Sequence, residues 1–335
     1  MSYINKISLL LCFSVSLSQL SFGQDFHFSQ YDVAALNTNP ALTGMFEGKH
    51  RLHTHYRTQW SAVATKPFTT GLISFDSRIN NKWSFGIQLL NYRAGAGAYN
   101  AAQVLPSLSY SIPLSKNKFH RITLGVAAGA FHKTFDQNAL TWGAQYEATA
   151  QGGQFNTATS SGETFQNSSV LRPDFNAGFI YFFAAPGARV NPFVGGSAFH
   201  LSTPEESFLG SGNRLPMRYL GHAGARIGIN QRLSIIPKVY YQYQDQAMEL
   251  TVSALAHYYL KGPDVFLIGG FTYRNADAAI AEIGCKWASW QARLSYDFNV
   301  STLKVATNGR GATELSLTYI MFKTETNPIP TCPRL

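Results

Sequence analysis

The sequence predicts an all-β fold, a transmembrane antiparallel β-barrel of about fourteen strands with long extracellular loops. Three observations carry this expectation. Side chains alternate between wet and greasy along many ten-residue stretches. Charged residues make up only 13% of the chain and aromatics 14%, with 17 Tyr and 24 Phe. A soluble domain carries about a quarter charged residues, so this surface is better suited to lipid than to water. Beyond the N-terminus, no uncharged apolar run reaches the roughly 20 residues that a bilayer-crossing helix needs. A closed barrel remains, because its backbone is paired between strands and leaves no edge in hydrocarbon.

The first element, residues 1–23, reads as a cleaved signal peptide. Lys6 supplies its charge, an apolar stretch runs from Ile7 to Leu17, and small Ser21 and Gly23 precede Gln24, the expected mature start. Cys12 follows bulky Leu11 inside the apolar stretch, which weakens a lipoprotein reading. Residues 24–50 come next, as a periplasmic segment holding Asn39-Pro40-Ala41 ahead of the first strand.

The barrel is expected over 51–322. In its first strand Arg51, His53, His55, Arg57 and Gln59 share one face, and Leu52, Thr54, Tyr56, Thr58 and Trp60 share the other. Near the end, Gln291, Arg293, Ser295, Asp297 and Asn299 alternate with Ala292, Leu294, Tyr296, Phe298 and Val300. Charges in mid-strand, among them Arg226, Lys238, Glu249, Glu282 and Arg293, exclude a small sandwich core and fit a hydrated lumen. Apolar faces ending in Trp60, Trp83, Tyr92, Tyr110, Tyr181, Tyr273, Trp287 and Tyr319 fit interfacial girdles. Strands are expected to begin near Arg51, Phe68, Trp83, Ala102, Arg121, Asp174, Pro192, Met217, Leu233, Met248, Val265, Ala279, Trp290 and Thr313.

Loop lengths orient the barrel. Long connections at 131–172, 201–216 and 301–311 each follow an odd-numbered strand. Turns at Asn80-Asn81, Asn230-Gln231, Gly262-Pro263 and Ala288-Ser289 follow even ones. Both ends of the barrel are then periplasmic, since short turns lie on that side. The longest connection is rich in Gly, Ser, Thr, Asn and Gln and is the first external candidate for binding, beside the plain reading of a solvated loop. The last element, 323–335, is a Pro-rich periplasmic tail.

The formal net charge is +9, one less once Lys6 is removed, but Lys and Arg are scattered and no nucleic-acid partner is expected. Cys285 and Cys332 are too few for a disulfide scaffold. His53 and His55 share a face and could approach one metal, yet no Asp, Glu or Cys stands at ligand spacing in their strand, so no metal or cofactor is expected. His200 and Ser202 share a face, as a serine hydrolase pair would. Alternation assigns the lipid side to Phe193 and Phe199 and leaves His200 with the lumen or rim, so no catalytic residue is expected. The glycines at Gly125, Gly129, Gly221, Gly224, Gly269 and Gly270 read as places of close strand packing or bending.

Three stretches together resemble the PorP/SprF family of type IX secretion system membrane proteins. They are QDFHFSQYDVAALNTNPALTG with HRLHTHYRTQW, then LPMRYLGHAGARIG with FTYRNADA, and then LSYDFNVSTL, NGRGATELSLTYIMF and PIPTCPRL. The resemblance covers essentially the whole mature chain. The end departs from it: Thr331-Cys332-Pro333-Arg334-Leu335 stands where the family usually ends in an aromatic. The resemblance implies an outer-membrane barrel working with the secretion and gliding apparatus of Bacteroidota. It further implies a periplasmic ring of lipoprotein and partner subunits, and exported surface proteins bearing C-terminal sorting domains.

The expected function is therefore a non-enzymatic component that helps secrete or anchor specific surface proteins, with outer-membrane lipid around its wall. Asn39, Pro40 and Ala41, and Pro330, Cys332, Pro333 and Arg334 in the tail, are the partner-binding candidates. The alternative is a porin or a fatty-acid-transporter-like barrel for small or hydrophobic solutes. Such barrels also carry Asn-Pro-Ala, in an N-terminal plug that is usually longer than the segment here. The segment is expected to be a strap fixing the chain start against the barrel, partly entering the lumen.

Overall fold

Period-two alternation over ten to fifteen residues at a time closes the sheet on itself. The computed structural model describes residues 25–64, 66–95, 98–149, 152–210 and 212–322. The strands in chain order begin with β1 (His50–Gln59), β2 (Phe68–Arg78), β3 (Trp83–Ala94), β4 (Tyr99–Pro113) and β5 (His120–Thr134). The longest connection contributes β6 (Tyr146–Thr149) and β7 (Gly152–Phe155). There follow β8 (Ser169–Phe183), β9 (Val190–Phe199), β10 (Arg218–Gly228), β11 (Leu233–Gln244) and β12 (Ala247–Leu260). The last four are β13 (Val265–Arg274), β14 (Ala278–Trp287), β15 (Trp290–Asn299) and β16 (Arg310–Met321).

All but β6 and β7 form one closed antiparallel barrel of fourteen strands. β6 and β7 pair only with each other, so β5 pairs directly with β8. β1 closes on β16 from His50↔Met321 to Thr58↔Thr313. The expected starts agree within a few residues, the largest difference being Ser169 against Asp174. A ten-residue strand rising about 3.4 Å per residue and tilted by about 40° spans roughly 26 Å, the height of a barrel's apolar band.

The outer face is apolar: Leu52, Tyr56, Ile73, Leu89, Val126, Phe179, Leu267 and Ile283 are all exposed there. Cys285 is also on it. Trp83 packs on Tyr110 and Trp290 on Tyr319, both pairs with ring centroids 4.6 Å apart, near the end where the chain enters and leaves the barrel. The inner face carries the charges, with Arg51, Arg57, Lys238, Glu249, Glu282, Arg293, Asp297 and Glu314 buried.

Three assignments of facing are corrected. Phe193 and Phe199 are buried on the inner face, and Tyr92 turns inward to stack on Phe26 at 5.7 Å. All three meet apolar side chains inside the barrel rather than lipid.

Connections at 135–168, 200–217 and 300–309 lie at one end, after the fifth, seventh and thirteenth barrel strands. The start of β1, the end of β16 and the short turns lie at the other. A bulge in β16 sets Gly311 and Ala312 opposite Asp297, between the pairs Tyr296↔Thr313 and Phe298↔Arg310, while Asp297 faces the lumen by the same alternation as Arg293 and Ser295.

Residues 25–46 are inside the barrel, and this corrects the strap expectation. The segment holds one turn of helix at Ala35–Thr38 and a 3-10 turn at Pro40–Leu42. Leu36, Leu42 and Met45 cluster with Ile180, Phe182 and Phe193 of the wall. Phe28 and Ala34 pack on Leu72 and Leu90, and Tyr31 on Phe199, Leu220 and Tyr240. The segment is a plug, and much of its path is compact turn rather than extended chain.

Candidate functional site

The plug is held by the charges that the wall places in mid-strand. β1, β15 and β16 bring together Arg57, Asp297 and Glu314, all fully buried. Glu314 accepts the backbone N–H groups of Ser29 (2.6 Å) and Gln30 (2.9 Å), and also meets His55 Nε2 (3.1 Å) and Arg57. Ser29 Oγ donates to Asp297 at 2.8 Å, and Arg274 Nη2 donates to the same carboxylate at 2.9 Å. Gln30 is bracketed by Ser295 and Ser316, at 2.9 and 2.6 Å. An irregular chain entering a lumen must find partners for its free backbone groups, and these carboxylates provide them.

A second anchor is Asp32, which meets Arg293 at 2.8 Å and Lys238 at 2.6 Å; Arg293 also pairs with Glu282. Burial works against ionisation of Asp32, but Arg293 and Lys238 outweigh it and hold its carboxyl well below the usual range. The third anchor is at the long-loop end. His200 Nε2 lies 2.7 Å from Asp25 and its Nδ1 lies 3.0 Å from Asp174, with Arg218 at 3.7 Å from Asp25. Burial opposes the charged imidazole, yet Asp25 and Asp174 raise its pKa to about 9. Asp25 in turn is held well below the usual carboxylate range, the His200 charge outweighing burial. His27 is pushed the other way, well down, by burial and by Arg274 and Arg57, and its neutral ring meets Glu249 at 3.1 Å.

Asn39, Pro40 and Ala41, expected to face a partner, are buried against the wall. Asn39 Oδ1 accepts the N–H of Ala41 (2.9 Å), capping the 3-10 turn. Its Nδ2 donates to the carbonyls of Phe179 (2.9 Å) and Gly196 (3.3 Å). A Cβ at Gly125 would lie 2.3 Å from Ala41 N, and one at Gly178 would lie 2.1 Å from Asn39 Oδ1. These glycines are where a second backbone comes close. In this conformation the Asn-Pro-Ala turn can meet a partner only after the plug leaves. The tail candidates Pro330, Cys332, Pro333 and Arg334, and the expected signal peptide, lie outside the described residues.

The remaining motifs are placed plainly. His53 Nδ1 meets Thr318 Oγ1 at 2.8 Å, and His55 faces Glu314 while stacking on Phe28 at 4.1 Å. Both ring nitrogens of His200 are taken by carboxylates, and Ser202 Oγ reaches only the Pro173 carbonyl, so His200 cannot accept the serine proton.

Two cavities border the seated plug. One cavity of about 130 Å³ opens between the plug and the wall near Arg226, Lys286 and Arg293. Another of about 40 Å³ lies at the long-loop end, among Phe26, Leu90, Leu105, Phe131 and Phe199. The second has room for about three waters at 10–15 Å³ each, and is too small for a hydrophobic solute as it stands. Above it, Phe135 packs on Phe165 (4.9 Å) and Phe208 (4.6 Å), tying the two longest connections together.

Comparison with known proteins adds two findings. A family model described as type IX secretion system membrane protein PorP/SprF matches residues 20–319. Among solved structures, the toluene transporter TbuX of Ralstonia pickettii is similar at a TM-score of 0.50 and 11% identity, covering 87% of this chain and 94% of that one. The monoaromatic hydrocarbon channel CymD gives 0.50 and 11%, covering 91% and 96%. At such identity the likeness concerns the fold alone. No curated protein matches the chain.

Proposed function

Since the chain belongs to the PorP/SprF family of type IX secretion system membrane proteins, we propose that it is a plugged, non-enzymatic outer-membrane platform that helps secrete or anchor specific surface proteins. The observation that carries this reading is the family match over 20–319. The filled lumen agrees with it: a barrel closed by three sets of buried ion pairs acts through its two ends rather than through a standing pore. The external connections joined by Phe135, Phe165 and Phe208 are the surface for exported proteins with C-terminal sorting domains. The Pro-rich tail, with Pro330, Cys332, Pro333 and Arg334, is the contact for the periplasmic ring subunits and lipoprotein. Asn39, Pro40 and Ala41 join that contact only in a released state of the plug.

A second reading, passage of small or hydrophobic solutes, is favoured by one observation, the Asn-Pro-Ala turn inside the lumen. It requires the plug to move, because the outer cavity of about 40 Å³ has room only for a few water-sized molecules.

The two separate in a pull-down of the tagged chain from solubilised outer membrane, followed by mass spectrometry. The platform reading expects ring subunits, lipoprotein and sorting-domain proteins, and loss of the ring subunits when 323–335 are deleted. Recovery of the barrel free of all three would sink it.

A further inference from the structure

The two ends of the barrel are oppositely charged. In the turns at the short-turn end, Lys82 (β2–β3), Lys116 and Lys118 (β4–β5), Arg189 (β8–β9), Arg232 (β10–β11) and Lys261 (β12–β13) are all exposed. Among the described residues of those turns the carboxylate is Asp264, which accepts from Tyr259 Oη at 2.9 Å. The connections at the other end reverse this balance. Their described residues hold the cations Lys66, Arg214 and Lys304 against a larger set of carboxylates, which includes Glu147, Glu163 and Asp245.

Three of the five basic turns are also greasy. Ile79 precedes Lys82 by three residues and is 63% exposed; Leu114 precedes Lys116 by two and is 57% exposed; Ile229 precedes Arg232 by three and is 43% exposed. Trp83 adjoins Lys82 and packs on Tyr110. An exposed apolar side chain and a cation within one short turn mark the boundary between hydrocarbon and headgroups, where a long basic side chain reaches back to the phosphates. The turns between these strands are only four to six residues long. They do not carry their cations beyond the headgroup layer, where an acidic protein face would meet them.

We infer that the short-turn end is a binding ring for anionic phospholipid headgroups, with Lys82, Lys116, Lys118, Arg189, Arg232 and Lys261 as its cations. The ring selects phosphatidylglycerol-type lipids over zwitterionic ones in the leaflet that this end faces. Attraction of this kind is local and falls off within a Debye length.

The test uses proteoliposomes of the full barrel with Trp60→Phe and Trp142→Phe, which leaves Trp83, Trp287 and Trp290, all at the short-turn end. Their fluorescence is quenched by brominated phosphatidylglycerol or by brominated phosphatidylcholine at equal mole fraction. The expected result is a relative binding constant favouring phosphatidylglycerol by about fivefold, the factor for one cation near the surface. It should fall to about one in 1 M salt, and also when the six cations are changed to Gln. The substituted side chains are exposed, so the barrel itself is kept. Equal quenching by both lipids overturns the inference, as does a preference that survives the six substitutions. The outcome is independent of whether the chain serves secretion.

Discussion

Glu314→Gln tests how the plug is held. Only interactions that differ between a seated and a released plug count, so the Glu314–Arg57 pair, present in both, largely cancels. The two backbone N–H groups of Ser29 and Gln30, at 2.6 and 2.9 Å from the carboxylate, do not. A glutamine keeps the shape but has one acceptor oxygen. With that oxygen on Ser29 and its NH2 turned to His55, the N–H of Gln30 is orphaned. Losing one charge-assisted bond and leaving a buried donor unpaired costs about 3 kcal/mol, so the released population rises about a hundredfold. Ala34→Cys reports it, being 2% exposed inside the lumen. In a background carrying Cys285→Ser and Cys332→Ser, a membrane-impermeant maleimide should label it about a hundredfold faster when Glu314→Gln is added, because labelling follows the open population. Equal rates in the two backgrounds, or fast labelling with Glu314 intact, would refute the anchoring scheme.

Gly125→Val drives a side chain into the backbone of Pro40 and Ala41, an overpacking of about 1–3 kcal/mol. It should speed the same labelling while leaving the barrel's thermal unfolding unchanged, and unchanged labelling would count against the Asn-Pro-Ala anchor. The Asp25–His200 latch depends on pH with a worked sign. His200 is raised from 6.5 to about 9, so its contribution is complete below 6.5 and is lost as pH rises through 9. Asp25 is lowered from 3.8, so its contribution is complete above 3.8 and is lost only in strong acid. Hydrogen exchange at 25–31, corrected for intrinsic rate, should therefore accelerate between pH 7 and 10, and a flat profile would contradict the latch. Phe208→Ala removes the ring on which Phe135 packs and should raise proteolytic cleavage within 136–166; an unchanged digest would show that the connections hold without it.

The wall was legible because alternation is a local property: each strand declares its two faces without reference to any partner. Sidedness failed at Tyr92, Phe193 and Phe199, for one reason. An apolar side chain facing a lumen is the same in sequence as one facing lipid until the plug's own apolar residues, Phe26, Leu36, Met45 and Tyr31, are set against it. The plug itself was hidden because many of its partners are more than 200 residues away, as with Ser29 and Glu314, and its short turns carry no period. Mid-strand Arg57, Arg293, Asp297 and Glu314 suit a water-filled bore as well as a plugged one, so the signal that pointed to it is Gly125, which leaves room for a second backbone rather than for a bend.

The central claim, that this plugged barrel serves secretion of particular surface proteins rather than solute entry, is tested most directly by comparing the surface proteome and solute uptake of cells with and without the chain. Loss of specific large sorting-domain proteins from the surface, with uptake unchanged, is the result expected. An unchanged surface proteome together with altered uptake of small or hydrophobic solutes would contradict it.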